Sequence, residues 1–391
     1  MKTKAAVLYE VGAVSPYAES LPLRVDEVTL AAPGRSEVLV EIAGAGLCHS
    51  DLSVIDGSRP RAMPLVMGHE ASGIVREVGA DVSEFVAGDQ VVFSFVPVCQ
   101  RCSFCVSGRG ALCERGAAAN IAGTLLSGAR HFSDANDTVC NHHLGVSGFS
   151  QFTVAAQESL VKIDASLPLT TAALFGCAVM TGVGAVVNTA RVTPGSSVAV
   201  FGMGGVGLSA VMGARTSSAN PIIAVDKLDD KLELARELGA THVVNAAHDD
   251  PVAAVRELTA GGVDYAFESV GNADVLIQAY EATKRGGTTI TVGLPAPGKM
   301  FSIPAVSLTL EERVVLGSYM GSSVPRRDIP RYIAMYQAGL LPVDKLHTHT
   351  LRLDEINLGF DRLAQGTAVR QIIDFGAERA GASHPSQPRA D

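Results

Sequence analysis

With 391 residues, the chain is too long for one ordinary hydrophobic core and implies about two domains. Its hydrophobic content of 47% with 40 glycines describes a folded, loop-rich α/β protein and excludes a disordered one. The net charge of −9 is moderate and unclustered, so no nucleic-acid surface is expected.

The opening stretch MKTKAAVLYE lacks the apolar segment of a signal peptide and alternates like a strand. Short apolar runs broken by Gly, Pro and Asp follow to about residue 165: EVLVEIAGAG, ASGIVREVGA, GDQVVFSFVPV and FSQFTVAAQESLVKI. That rhythm predicts a β-rich domain of twisted, closed strands. Leu167 to Thr189 carries no charge and is long enough to raise a membrane span. Its Pro168, three glycines, threonines and Cys177 instead suit a buried helix and turn, so no membrane is expected.

From about residue 195 strands alternate with helices. SSVAVFG, PIIAVD, THVVN, VDYAFESVG and TTITVGL read as strands, and GVGLSAVMGART, KLELARELGA, DPVAAVRELT and VLIQAYEATKRGG as helices. The alternation predicts a parallel, doubly wound sheet. A helix, RDIPRYIAMYQAG, and a strand, RQIIDFG, close the chain, and the polar stretch 375–391 is expected to be a disordered tail.

Three motifs carry chemistry. Cys99, Cys102, Cys105 and Cys113 form C-x2-C-x2-C-x7-C, a spacing that lets four thiolates close around one Zn²⁺ at about 2.3 Å. An iron–sulfur site or a disulfide pair is the alternative. Seven cysteines with four clustered suit metal ligands in a reducing cytoplasm better than disulfides.

Gly202-Met203-Gly204-Gly205-Val206-Gly207 follows a strand and opens a helix, the context in which G-x-G-x-x-G holds a pyrophosphate. Asp226 ends the next strand, where a carboxylate accepts the ribose hydroxyls of NAD and repels the extra phosphate of NADP. Lys227 and Lys231 lie nearby, and Lys231 can also reach that ribose. The third motif is Cys48-His49-Ser50-Asp51 with Gly68-His69-Glu70 further on. Taken singly, Cys48 reads as a small buried apolar residue and His69 as a core histidine.

Together these motifs resemble the zinc-dependent medium-chain alcohol dehydrogenases. The match runs to about residue 375 and includes GHEASGIVREVGADVSEFVAGDQV, the cysteine lobe, HLGVSGFSQFTV, LFGCAVMTGVGAVVNTARVTPGSSVAVFGMGGVG and VDKLDDKLELARELGATHVVN. The resemblance implies a GroES-like β-barrel catalytic domain, residues 1–178 and 322–391, and a Rossmann NAD-binding domain, residues 179–321.

It further implies two zinc ions per chain, one catalytic and one structural. Cys48, His69 and Cys177 would ligate the catalytic zinc, with Glu70 behind the metal and Asp51 on the free nitrogen of His69. The cysteine lobe would hold the structural one. Ser50 would take the alcohol proton. Many relatives carry a relay histidine where this chain has Ser53, so the outer relay is either solvent-mediated or rerouted. His49 and Arg370 would face the cofactor pyrophosphate, and Thr181 and Val206 the nicotinamide.

The family's pocket positions fall on Ser50, Phe95, Ala118, His143, Leu144, Leu294 and Tyr319, which suit a medium-chain or aromatic primary alcohol and its aldehyde. The long stretch 114–143 is expected to be a loop capping that pocket. A glutathione-adduct dehydrogenase is the alternative, although Ala117 stands where that branch has an arginine and Arg59 where it has an acid. A cytoplasmic homodimer is expected, paired along FSIPAVSLTLEERVVLGSY. Neither Cys140 nor Arg59 receives a role.

Overall fold

The computed structural model describes residues 1–376, so nearly all of the expected tail lies outside the described residues. Two compact units emerge: one takes residues 1–99, 115–176 and the chain from His347 onward, the other residues 100–114 and 177–346.

In the first unit, Lys2–Leu8 pairs antiparallel with Leu23–Leu30. Phe132–Ser133, Val139–His142 and Leu65–Val66 complete a small closed barrel with them, whereas the four apolar runs read as strands lie in the mixed sheet of the same unit. Its core holds Ala5, Val7, Val28, Leu30, Phe132 and Cys140. The stretch 114–143 is therefore not simply a loop. Glu114–Ala122 is a helix, and Phe132 pairs with Cys140 so that both side chains fill the barrel. Burying those two apolar groups overrides the polar, glycine-containing sequence around them. Cys140 is thus a core residue.

Beside the barrel lies a mixed sheet in the order Leu160–Lys162, Gln90–Phe93, Glu70–Val78, Glu37–Gly46, Arg370–Asp374 and His347–Leu351. Phe152–Ala156 also pairs with Glu37–Gly46. The first residue of that strand carries an unusual buried acid. Burial alone would raise Glu37, but His131 at 2.7 Å, Ser127 Oγ at 2.6 Å and the Gly34 N–H at 2.6 Å pull it down to about 2. The folded value lies below the ordinary 4.5, so its stabilisation is complete above that pH and fades as pH falls toward 2. Glu37→Gln should cost about 3 kcal/mol at neutral pH. The gap from wild type should close progressively below pH 4.5 in urea melts.

The second unit is a six-stranded parallel sheet ordered His242–Asn245, Ile222–Asp226, Val198–Phe201, Val263–Glu268, Thr283–Thr291, Val314–Gly317. In chain order that is 3-2-1-4-5-6, the doubly wound dinucleotide-binding arrangement. Helices Gly205–Thr216, Asp229–Leu238, Pro251–Leu258 and Ala273–Glu281 connect its strands, the last two capped by Asp250 and Asn272.

The helix expected over VLIQAYEATKRGG stops at Glu281. Its apolar face ends with the buried Ala279 and Ala282, and Thr283 already pairs with Val263. Residues 322–346, expected with the barrel, belong to the second unit. Helix Pro325–Gln337 is tied there by Asn188 Nδ2, which donates to Tyr332 Oη at 3.2 Å, while Ser323 Oγ donates to the Met180 carbonyl at 3.4 Å.

Among the described residues no single helix is long and apolar enough to cross a membrane. The uncharged stretch breaks into the short pieces Leu169–Ala172, Ala173–Gly176, Ala178–Gly184 and Ala185–Ala190. Most of their side chains are buried in protein.

Candidate functional site

Strand Glu37–Gly46 delivers Leu47 and Cys48, and Cys48 is still extended (φ −131°, ψ 152°) where helix His49–Ile55 begins. Asp51 sits in the first turn of that helix and folds back, its Oδ2 accepting the Cys48 N–H at 3.2 Å. Its other oxygen, Oδ1, lies 2.8 Å from His69 Nδ1. A carboxylate only accepts, so in the neutral His69 ring the proton sits on Nδ1 and the lone pair on Nε2. Gly68, immediately before, has φ +95°, and a Cβ there would meet the Phe149 backbone nitrogen at 2.5 Å. Glycine is therefore required to aim His69.

Cys177 follows directly on Gly176. The donor atoms of Cys48, His69, Glu70 and Cys177 lie within 4.8 Å of one another, and all four residues are buried. Burial tends to lower His69, yet the Asp51 carboxylate raises it well above its ordinary value. Burial pushes Glu70 up to about 8, against the opposing pull of Arg370, whose Nη1 lies 3.4 Å from Glu70 Oε1. Neither oxygen of Glu70 has a hydrogen-bond partner of good geometry. Two thiols and one imidazole nitrogen suit a divalent zinc ion; three protein ligands leave a fourth position for an exchangeable one, and the under-satisfied Glu70 carboxylate lies beside it.

The sulfurs of Cys99, Cys102, Cys105 and Cys113 also lie within 4.8 Å of one another. Tetrahedral zinc at about 2.3 Å sets its sulfurs about 3.8 Å apart, so the lobe fits the metal. Cys102 and Cys105 approach to 3.4 Å, and burial together with the neighbouring thiols pushes Cys105 up, which a bound cation would reverse.

In the second unit, strand Val198–Phe201 leads into Gly202 (φ +93°), and helix Gly205–Thr216 starts at Gly204. A Cβ on Gly207 would fall 1.8 Å from the Gly202 carbonyl oxygen, so the loop admits only glycine at that crossing. Asp226 reaches the loop from the end of Ile222–Asp226, accepting the Met203 N–H at 2.6 Å and the Lys227 N–H at 2.7 Å. Lys231 is half-buried on the following helix. A Cβ on Gly182 would lie 2.2 Å from the Val206 carbonyl oxygen, so the chain beside Thr181 packs closely on the loop.

The remaining predicted positions scatter. Ser50 is half-buried one residue into the Cys48 helix, and His49 is exposed. Arg370 is buried and donates to the Leu47 carbonyl at 3.1 Å, besides facing Glu70. Phe95 packs edge-on against His69, ring centres 5.6 Å apart. Ala118, Leu294 and Tyr319 are exposed. A small cavity of the first unit is lined by two of the predicted positions, His143 and Leu144, together with Arg61, Leu65, Asn120 and His142. Arg61, Asn120 and His142 escaped the sequence because no spacing marks them, and Asn120 lies in the stretch read as loop. Burial pushes His142 down to about 3, keeping it neutral where its Nε2 accepts the His131 N–H at 3.2 Å.

Comparison with known proteins follows the same lines. Residues 34–165 match the family model for the alcohol dehydrogenase GroES-like domain, and residues 205–338 that for zinc-binding dehydrogenases. The chain is 39% identical over 379 residues to an S-(hydroxymethyl)glutathione dehydrogenase of Synechocystis, covering 96% of this chain and 100% of that one. Among solved structures, an alcohol dehydrogenase zinc-binding domain protein from Burkholderia ambifaria superposes with a TM-score of 0.90 at 37% identity, covering 96% and 99% of the two chains. Benzyl alcohol dehydrogenase from Acinetobacter calcoaceticus gives 0.89 at 35%, over the same shares.

Proposed function

We propose, from the premise that this chain belongs to the zinc-dependent medium-chain alcohol dehydrogenase family, that it interconverts hydrophobic primary alcohols and aldehydes using NAD. The observation that carries the substrate class is Phe95, which sets an aromatic edge directly against His69. Leu144 adds apolar surface and is buried nearby in sequence to His143. Such a wall accepts an alkyl chain or an aryl ring and offers a sugar nothing to hydrogen-bond. Likeness to a benzyl alcohol dehydrogenase supports the aromatic case.

When bound, zinc supplies a Lewis acid for the alcohol oxygen and the nicotinamide supplies the hydride acceptor. Cys48, His69 and Cys177 would hold the metal. Asp51 fixes the His69 tautomer that leaves Nε2 free for it. Ser50 Oγ is our assignment for the first proton acceptor, since the backbone places it two residues beyond Cys48. Ser53 Oγ donates to the His49 carbonyl at 3.0 Å, which leaves the next step of the relay to solvent. Asp226 would accept the adenosine ribose hydroxyls, which supports NAD over NADP.

A homodimer is part of the proposal. Val314–Gly317 is an edge strand of the parallel sheet, and Val306, Leu310 and Val314 expose apolar surface beside that edge in sequence. Seven cysteines, six of them in the two donor clusters, suit a reducing cytoplasm.

The 39% identical relative supports a second reading, oxidation of S-(hydroxymethyl)glutathione. Ala117 and Arg59 argue against it, because the carboxylate grip expected of that branch is missing at the first position and the charge is inverted at the second. NADH absorbance decides between them. We expect turnover of octanol, benzyl and cinnamyl alcohols with NAD, abolished by a zinc chelator, and NADP at least about tenfold poorer. Turnover confined to the thiol adduct or to sorbitol would overturn the substrate assignment while leaving the family intact.

A further inference from the structure

His143 is buried beside His69, with ring centres 5.7 Å apart and planes at 83°. With Phe95 also edge-on at 5.6 Å, the His69 imidazole has one aromatic neighbour from each of two segments. Packing alone would be served by any ring at residue 143. The polar contact would not. His143 Nδ1 lies 3.2 Å from Asp51 Oδ1, the same oxygen that holds His69 Nδ1 at 2.8 Å. That His143 nitrogen is buried, and although it lies against Asp51 it is not aligned for a hydrogen bond with that oxygen or with any other group.

A bare lone pair at that distance from a carboxylate oxygen would be repelled, so the proton of the neutral ring belongs on Nδ1, facing Asp51. The backbone fixes this approach. The His143 N–H donates to Ser147 Oγ at 3.1 Å, and the His143 carbonyl accepts the N–H of Val146 at 3.0 Å and of Ser147 at 3.2 Å. Asp51 is fully buried; its Oδ2 accepts the Cys48 N–H, and its Oδ1 pairs with His69 Nδ1 and is approached by His143 Nδ1.

We infer that His143 is a positioning residue that donates to Asp51, so that one carboxylate oxygen orients two imidazoles and thereby aims His69 Nε2 at the metal. The inference rests on Cys48, His69 and Cys177 holding zinc. Loss of the Nδ1 donor leaves a lone pair of a buried carboxylate unmatched and frees Asp51 to turn, which loosens the ligand it steers.

The test uses the full-length zinc-loaded protein and measures zinc release into excess 4-(2-pyridylazo)resorcinol. The four-cysteine zinc in the same chain is the internal reference. His143→Phe keeps the ring and removes the donor; His143→Asn places an amide N–H near the lost Nδ1. In His143→Phe the zinc of the His69 site should leave about tenfold faster, with the four-cysteine phase unchanged. His143→Asn should return the rate to within about threefold of wild type. His143→Leu stands in if the Phe protein does not accumulate.

Unchanged release in His143→Phe, with only KM for bulky alcohols altered, would overturn the inference and leave His143 a wall residue. Acceleration of both phases would also overturn it, by showing general loosening. Wild-type protein carrying one zinc per chain would instead defeat the metal assignment on which it rests.

Discussion

Cys177→Ala is expected to lower kcat/KM for every alcohol substrate by about 1000-fold or more, with the thermal midpoint within a few degrees of wild type. Two numbers set that expectation. Losing one of three protein ligands removes several kcal/mol of charge stabilisation at the reacting oxygen, and about 4 kcal/mol corresponds to three decades in rate. Removing one buried sulfur from a residue 6% exposed costs only a small cavity, worth about 1 kcal/mol. Zinc analysis should find the four-cysteine metal retained and the other lost or depleted. A fully active Cys177→Ala protein would show that the catalytic ligands are wrongly assigned.

The second large effect belongs to stability. Cys113→Ser should strip zinc from the cysteine lobe and unfold residues 100–114 locally. Helix Ser103–Val106 buries none of its residues, and the turn Gly110–Leu112 buries only Gly110 and Ala111. That much apolar burial offsets little of the entropy of ordering this lobe. The metal must supply the difference, and structural zinc sites contribute on the order of 10 kcal/mol. Trypsin should therefore cut after Arg101 and Arg109 at least about tenfold faster in Cys113→Ser than in wild type. Resistance equal to wild type, with the zinc gone, would mean the lobe holds itself together.

Much of this was legible in the chain because the chemistry demands local patterns. The strand–turn–helix around Gly202 and the spacing from Cys99 to Cys113 are set by phosphate and metal geometry within a few residues. Strand and helix alternation likewise survives because the central strands Val198–Phe201 and Ile222–Asp226 are apolar along nearly their whole length. The barrel hid itself better. Phe132–Ser133 is two residues long, and its place depends on pairing with Cys140 and Leu30, which no periodicity announces. Helix Glu114–Ala122 was masked by Gly116, whose presence reflects the Pro97 carbonyl, 2.3 Å from where a Cβ would stand. The shared oxygen of Asp51 was equally invisible, since His143 approaches it from a separate segment of the barrel unit. The division of the chain at residues 322–346 turned on Asn188, a polar residue in an apolar run whose partners lie on Pro325–Gln337.

The burial of Cys140 among Val7, Val28 and Phe132 gives the molecule a built-in pair of gauges. Six thiols belong to the two donor clusters and one to a dry barrel interior. A colorimetric thiol reagent added to the native protein should therefore develop colour only as metal departs, and the last equivalent only as the barrel opens. Counting equivalents against time separates demetallation from unfolding in one cuvette, with no label and no substrate.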